Sequence, residues 1–227
     1  MGKSISMYTI NQTTGVLTPT SPATVSVGLY PSKAIISASA KFAYVTSREG
    51  RVYMFTINQT SGVLTPTSPP IIKTGALPQQ VAISPSGKFA YVSNSEDDNV
   101  SMYSIDQKTG VLSAIGKAAT GKFPYAMTFD QSGKFAYVLN AYSDSISMFV
   151  VDQTSGVLIP NTPPTVATGK LPISPEFHRS GKFFYVNNFS GSSISMYRLN
   201  KKTGVLTPLS PATVTTGTMY NGIITTN

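Results

Sequence analysis

Short, largely apolar segments recur through the chain at a nearly fixed spacing. The run Lys-Phe-(Ala/Phe)-Tyr-Val occurs four times, 47, 46 and 48 residues apart, at Lys41, Lys88, Lys134 and Lys182. A methionine in the following segment recurs at Met7, Met54, Met102, Met148 and Met196. A glycine before Val-Leu recurs at Gly15, Gly62, Gly110, Gly156 and Gly204. One unit is therefore copied about five times, and this period, with strand-like segments inside it, indicates the blades of a β-propeller.

One unit predicts four strands, which we label a to d in chain order. In the second complete unit, strand a covers residues 78–84, strand b 88–93 and strand c 99–105, and strand d runs from 111 to about 117. Residues 85–87 predict a tight turn and 106–110 a hairpin, each with a glycine available for positive φ. Strands b and c are apolar on both faces, as stacked sheets require, so the recurring methionines are predicted to pack between blades.

The two ends of the chain predict how the ring is completed. The sequence opens within a strand c at residues 4–10 and closes just after a strand a at about 221–226. We therefore predict one all-β domain over residues 1–227, a propeller of about five blades with up to four antiparallel strands each. Its terminal blade would be composite, built from N-terminal and C-terminal strands. The alternative is an excerpt of a larger array, and an incomplete terminal blade would favour self-association.

Composition narrows the classes of function without selecting one. The 227 residues carry a formal charge of +8 with 11% charged residues, and none is cysteine. The basic residues are not clustered with stacking aromatics, so nucleic-acid binding is not indicated. No apolar run is long enough for a transmembrane segment, and nothing indicates a cofactor. Compartment stays open, and an extracellular or cell-surface location with an export signal upstream of this sequence is one alternative.

The segment Phe89-Ala90-Tyr91-Val92-Ser93-Asn94 and its copies resemble YVTN-type β-propeller repeats. The wider unit, from Pro-x-x-hydrophobic through Gly-Lys-Phe-Ala-Tyr-Val to Thr-Gly-Val-Leu, is similar to the lactonase-like propeller family, which includes propeller-type 6-phosphogluconolactonases. This resemblance covers essentially the whole chain. It implies the propeller fold strongly and the activity only weakly, because one fold hosts many functions.

The resemblance also implies catalytic positions that this chain fills differently. That family normally has seven blades, an Arg-His pair at the start of strand a, and a Glu directly after Tyr-Val-x-Asn. The Arg-His positions correspond to Ser32-Lys33, Gln79-Gln80, Tyr125-Ala126, Ile173-Ser174 and Asn221-Gly222. The Glu positions correspond to Arg48, Ser95, Ala141 and Phe189. Opening a lactone needs an acid–base pair and a cation for the oxyanion, so the activity is not transferred.

Residues that differ between the repeats are the candidates for a binding site. In a propeller the entries to strands a and the b-to-c loops share one face, which we call the mouth. The variable residues there suit a polar small molecule, a carbohydrate or a protein loop. They are Lys33, Gln79, Gln80, Tyr125, Asn221, Arg48, Glu49, Glu96, Asp97, Tyr142 and Asp144. Unselected drift of loop residues explains the same variation.

A second candidate cluster, Glu176, His178 and Arg179, contains the only histidine of the chain. Glu176 and His178 lie two residues apart and would share a face of a strand, so they are candidates for a general acid and base. A histidine in an exposed turn is the simpler interpretation. The three adjacent acids at 96–98 lack the spacing of a calcium loop, and we predict no metal site.

Three hypotheses follow from these residues. The preferred one is a non-catalytic binding or scaffold module with its ligand or partner at the mouth. The first alternative is a lactonase-like hydrolase whose active site is relocated or lost. The second is a structural repeat protein of the cell-surface type.

Overall fold

Every regular element in this computed structural model is a β-strand, and the structure describes residues 3–217. The first sheet contains β1 (Ser4–Ile10) and β2 (Leu17–Ser26). The second contains β3 (Pro31–Ile36), β4 (Phe42–Ser47), β5 (Arg51–Ile57) and β6 (Leu64–Lys73). The third contains β7 (Pro78–Ile83), β8 (Phe89–Asn94), β9 (Asn99–Ile105) and β10 (Leu112–Ala119).

The remaining two four-stranded sheets complete the described chain. The fourth sheet contains β11 (Pro124–Phe129), β12 (Phe135–Asn140), β13 (Ser145–Val151) and β14 (Leu158–Ala167). The fifth contains β15 (Pro172–Phe177), β16 (Phe183–Asn188), β17 (Ser193–Leu199) and β18 (Leu206–Thr215). Within the described residues no helix is long and apolar enough to cross a membrane.

The predicted unit is confirmed as four antiparallel strands in the order a, b, c, d. Strand c of the second complete unit has the predicted bounds, and strands a, b and d are shifted at their ends by one or two residues. All six residues of Phe89–Asn94 are buried, so strand b is covered on both faces. We refer to the four-stranded sheets as blades one to four and to β1 and β2 as the first sheet.

Three repeated contacts join each blade to the next, and the methionine contact also joins the first sheet to blade one. The sulfur of Met54 accepts the backbone N–H of Leu112 at 3.3 Å, and Met7, Met102 and Met148 do the same for Leu64, Leu158 and Leu206. The Tyr91 hydroxyl donates to the carbonyl of Gly156 in the next blade at 2.8 Å. A Cβ on Gly156 would overlap the ring of Phe89, which requires glycine there. The predicted packing of methionines between blades is confirmed for these four.

The asparagine that ends strand b explains another copied residue. Asn94 is fully buried, and its Oδ1 accepts the Thr74 hydroxyl and the Gly75 N–H. Its Nδ2 donates to Asn99 and Ser101 on strand c, each at 2.8 Å. One side chain therefore links the entry loop of a blade to two of its strands, because a buried amide must satisfy both its donors and its acceptor.

The strands a of successive blades lie side by side around the interior of the arc. β7 contacts both β3 and β11, and β11 contacts β15. Each strand a begins with a proline at the mouth, so the residues just after Pro31, Pro78, Pro124 and Pro172 face a shared opening. The C-terminal strand that was predicted to complete a composite blade lies outside the described residues.

Candidate functional site

A polar cavity of about 310 Å³ opens where the four strands a begin. It brings Lys33, Gln79, Gln80 and Tyr125 together, four of the residues predicted for the mouth. The rest of its lining is Ser32, Ala126, Met127, Thr128, Ile173, Ser174 and Pro175. Every blade contributes, because the same short segment of each strand a reaches the opening. The cavity therefore collects residues that are 142 positions apart in the chain, from Ser32 to Ser174.

Hydrogen bonds between and within blades hold the two amides of the polar cavity in place. Gln80 Oε1 accepts the backbone N–H of Met127 in the next blade at 3.0 Å. Ser32 donates to the carbonyl of Gln79 at 3.2 Å, and Gln79 Nε2 donates to Ser95 at 3.1 Å. Because its oxygen accepts from Met127, the Gln80 amide is held in one orientation at the cavity. The cavity thus offers oriented amide and hydroxyl groups and the ammonium of Lys33.

An aromatic pocket of about 270 Å³ adjoins the polar cavity. Its lining is Phe123, Tyr125, Ala141, Tyr142, Leu171, Ile173 and Phe189. The rings of Phe123 and Tyr142 are stacked, with centroids 4.2 Å apart and planes 22° apart. Tyr125 and Ile173 line both the polar cavity and this pocket. The two spaces therefore lie side by side at the mouth.

Apart from Lys33, the charged residues predicted for the site lie elsewhere on the mouth. Arg48, Glu49 and Glu96 line a third opening of about 570 Å³ between blades one and two. Asp97 accepts the Ala76 N–H at 3.1 Å and lies 3.5 Å from the Lys117 ammonium. Asp144 accepts the Leu171 N–H at 2.9 Å. The structure therefore gives both aspartates backbone partners in neighbouring loops and does not place either at the polar cavity.

Asp98 has the same kind of loop role as Asp144. Its Oδ1 accepts the Phe123 N–H at 2.9 Å, and its Oδ2 pairs with the Lys122 ammonium. The hydrogen bond from Lys122, followed by that from the Phe123 N–H, holds the pKa of Asp98 below its usual value. The carboxylate is therefore charged at neutral pH and fixes the backbone that carries Phe123.

The Glu176, His178 and Arg179 cluster lies at the far end of strand a from the mouth. His178 Nδ1 is 2.8 Å from the Ser180 hydroxyl in the turn between β15 and β16. Other blades have a serine pair or Asp130 with Ser132 in the same turn. Glu176 pairs with Tyr185 across the sheet, and the Arg179 carbonyl accepts from Gln131. None of these three residues lines the three openings described above, and His178 takes a turn role that other blades fill without histidine.

Two further points complete the placement of the predicted residues. Asn221 lies outside the described residues. Within residues 3–217 no group of three histidine, cysteine or carboxylate side chains is arranged to hold a metal ion.

Ser32, Phe123 and Leu171 line these openings but were not predicted as binding residues from the sequence. Phe123 and Leu171 stand directly before the proline of strand a, where the other blades have Tyr30 and Leu77. All four have positive φ, between 48° and 56°. The variation at this position was a usable signal, but the left-handed conformation that turns these side chains to the mouth was not visible in the repeat.

Comparisons with known proteins agree with the fold. A model of the family "Lactonase, 7-bladed beta-propeller" matches residues 5–167. A structure from Bacteroides fragilis, provisionally assigned as a 6-phosphogluconolactonase, superposes with a TM-score of 0.82 at 21% identity, covering 94% of this chain and 65% of that one. The periplasmic gluconolactonase PpgL of Pseudomonas aeruginosa gives 0.80 at 19% identity, covering 96% and 65%. No curated protein sequence matches the chain.

These figures fix two facts about the chain. It spans 65% of the length of each of those two structures. The family match covers well over half of the residues of this chain and spans the first sheet and blades one to three. Blade four, which follows the matched region, carries the same copied residues. The chain belongs to the lactonase family of seven-bladed β-propellers.

Proposed function

We propose that this chain is a non-catalytic binding member of the lactonase propeller family that holds a sugar or sugar acid in the polar cavity. The observation that carries the proposal is the chemistry of the lining. Amide and hydroxyl groups from Ser32, Gln79, Gln80 and Ser174 surround a space with one ammonium, that of Lys33. Such groups pair with the hydroxyls of a sugar, and the ammonium suits a carboxylate.

The same lining argues for binding without hydrolysis. Ring opening of a lactone needs a group that moves a proton near neutral pH and a donor set for the developing oxyanion. Among the described residues that line the polar cavity there is no aspartate, glutamate or histidine.

Ligand titration by calorimetry tests this proposal, with glucose, gluconate and glucono-lactone as probes. We expect at least one of them to bind the parent protein and Gln79→Leu to weaken that binding about tenfold, which corresponds to about 1.4 kcal/mol for a lost hydrogen bond. Gln12→Leu, an exposed glutamine on the hairpin of the first sheet, is the matched control and should bind like the parent. Equal affinity in all three proteins would overturn the proposed location.

A lactonase-like hydrolase is the second candidate function, and family membership favours it. The decisive assay follows glucono-lactone hydrolysis against the spontaneous rate in the same buffer. Hydrolysis that scales with protein concentration and is lost in His178→Ala would favour a catalytic site around His178. Hydrolysis that survives this substitution but is lost in Lys33→Met would instead identify the polar cavity as the active site. A rate equal to that of buffer would favour the binding function.

A further inference from the structure

The aromatic pocket is built from departures from the repeat. In the other blades, the position of Phe189 is occupied by Arg48, Ser95 and Ala141. These positions match because the backbone N–H of each residue donates to the carbonyl of the residue before the strand a proline. Tyr142 follows Ala141, where the other blades have glutamate or serine at Glu49, Glu96 and Ser190. Tyr125 matches Ser32, Gln79 and Ile173. Three aromatic residues at three unrelated repeat positions thus converge on one pocket, which the packing of blades does not require.

The backbone that carries this pocket is held in a costly conformation. Phe123 and Leu171 have φ values of +56° and +55°, and a bulky residue in the left-handed region costs on the order of 1 kcal/mol or more. Asp98 and Asp144 accept the N–H groups of these two residues, which stabilises each turn. The aromatic and aliphatic side chains are therefore pre-organised at the mouth, and pre-organisation lowers the entropic cost of binding.

The pocket leaves apolar surface in contact with water. Tyr142 is 67% exposed and Tyr125 is 39% exposed, although both are large aromatic residues. No charged or amide side chain lines this pocket among the described residues. A second sugar ring needs hydrogen-bond partners for its hydroxyls, whereas a flat apolar group needs only stacking and burial. A cavity of about 150 Å³ suffices for benzene, so about 270 Å³ accommodates a substituted aryl group.

We propose that the aromatic pocket binds the aryl aglycone of a glycoside whose sugar occupies the polar cavity. This inference rests on the proposed function, because it assigns the sugar to the polar cavity. The shared lining residues Tyr125 and Ile173 place the two groups next to each other, as the two parts of one ligand must be. The ligand class is therefore amphipathic, with a polar ring at strands a and an apolar ring over Phe123 and Tyr142.

Calorimetry with matched pairs of glycosides tests the inference. The probes are the 4-nitrophenyl and the methyl glycosides of glucose, galactose, mannose and glucuronic acid, with free 4-nitrophenol alongside. We expect one 4-nitrophenyl glycoside to bind at least tenfold more tightly than its methyl counterpart. Tyr142→Ser, which installs the residue that blade four carries at this position, should remove that difference and leave the methyl glycoside unaffected. Tyr8→Ser, an exposed tyrosine on β1, is the control and should behave like the parent.

Each other outcome has a defined meaning. If the members of every pair bind with equal affinity, the aglycone inference is wrong and the proposed function stands. If free 4-nitrophenol binds as tightly as the best glycoside and no methyl glycoside binds, the pocket takes an aromatic group without a sugar, and both proposals are wrong. If no glycoside binds but glucose, gluconate or glucono-lactone does, the aglycone inference is wrong and the proposed function stands. If none of these compounds binds, both fail.

Discussion

At the scale of single residues, the hairpin between strands c and d begins with an asparagine or an aspartate in every sheet. The Oδ1 of this residue accepts the N–H groups two and three positions later, at distances between 2.8 and 3.2 Å. The asparagines are Asn11, Asn58 and Asn200, and the aspartates are Asp106 and Asp152. The hydrogen bonds are the same in both cases, so only the aspartates add a charge to the turn.

This difference predicts how acid affects two of the turns. The backbone N–H groups of Thr109 and Lys108 hold the pKa of the Asp106 carboxyl below its usual value. Those of Ser155 and Thr154 do the same for Asp152. The stabilisation by each charged aspartate is therefore fully present above the pKa of an aspartate in the unfolded chain, about 4. It is lost as the pH falls through the lower pKa that the same group has in the folded protein. We expect Asp106→Asn to unfold near the parent temperature at pH 7 and to lose less stability than the parent at pH 2 to 3.

Thermal unfolding followed by circular dichroism measures this effect. The reverse substitution, Asn58→Asp, serves as the matched variant and should make the protein more sensitive to acid. Equal losses of unfolding temperature in the parent and in both variants would contradict a role for these carboxylates.

At the scale of the blade, a tyrosine in strand b joins each of blades one to three to a glycine in the hairpin of the next blade. Tyr44, Tyr91 and Tyr137 are fully buried, and their hydroxyls donate to Gly110, Gly156 and Gly204 at 2.8 to 2.9 Å. Burial raises the pKa of each phenol well above its usual value. The neutral form is therefore required in the folded state, and the stabilisation is present below the pKa of an unfolded tyrosine, about 10, and lost at higher pH.

We expect Tyr91→Phe to lower the free energy of unfolding by about 1 kcal/mol or more, because the buried carbonyl of Gly156 loses its donor. Chemical denaturation at pH 7 measures the change. The control is Tyr185→Phe, which alters the matching tyrosine of blade four. Tyr185 is only half-buried, so the loss of its hydroxyl should cost less. A larger effect at Tyr185 than at Tyr91 would contradict this role of the inter-blade bond.

Blade structure was largely predictable from the sequence, and the mouth only partly. Residues that recur in every repeat, such as Met102 and Tyr91, are those that pack between blades, so their recurrence reveals the strands and their order. Comparison of the copies also shows which residues differ between repeats, and four of these residues meet at the polar cavity. It does not reveal which acids bind backbone N–H groups, as Asp97 and Asp144 do, since this depends on loop geometry. The left-handed turn at Phe123 was hidden for the same reason.

At the scale of the whole molecule, the first sheet exposes a face that the following blades bury. Tyr8, Ile10 and Leu17 are each more than half exposed. Their counterparts Tyr103, Ile105 and Leu112 are buried against blade one, in one apolar cluster. An apolar face of this kind favours association with complementary surface.

We therefore predict concentration-dependent self-association of this chain, measured by sedimentation velocity. Leu17→Lys should shift the equilibrium toward the monomer, because it places a charge on the exposed face. Ile159→Lys, which alters a half-exposed residue on β14 of a blade covered on both sides, is the control and should leave the equilibrium unchanged. A parent protein that stays monomeric at high concentration would contradict the prediction.

The central claim is that the copied residues pack the blades and the residues that differ between copies bind the ligand. Hydrogen–deuterium exchange with and without the tightest-binding glycoside tests this claim most directly. We expect protection at the first residues of β3, β7 and β11 and in the loop between β12 and β13. The copied hairpins between strands c and d should exchange at unchanged rates. Protection confined to those hairpins, or to the turn that holds His178, with no change at the mouth, would contradict it.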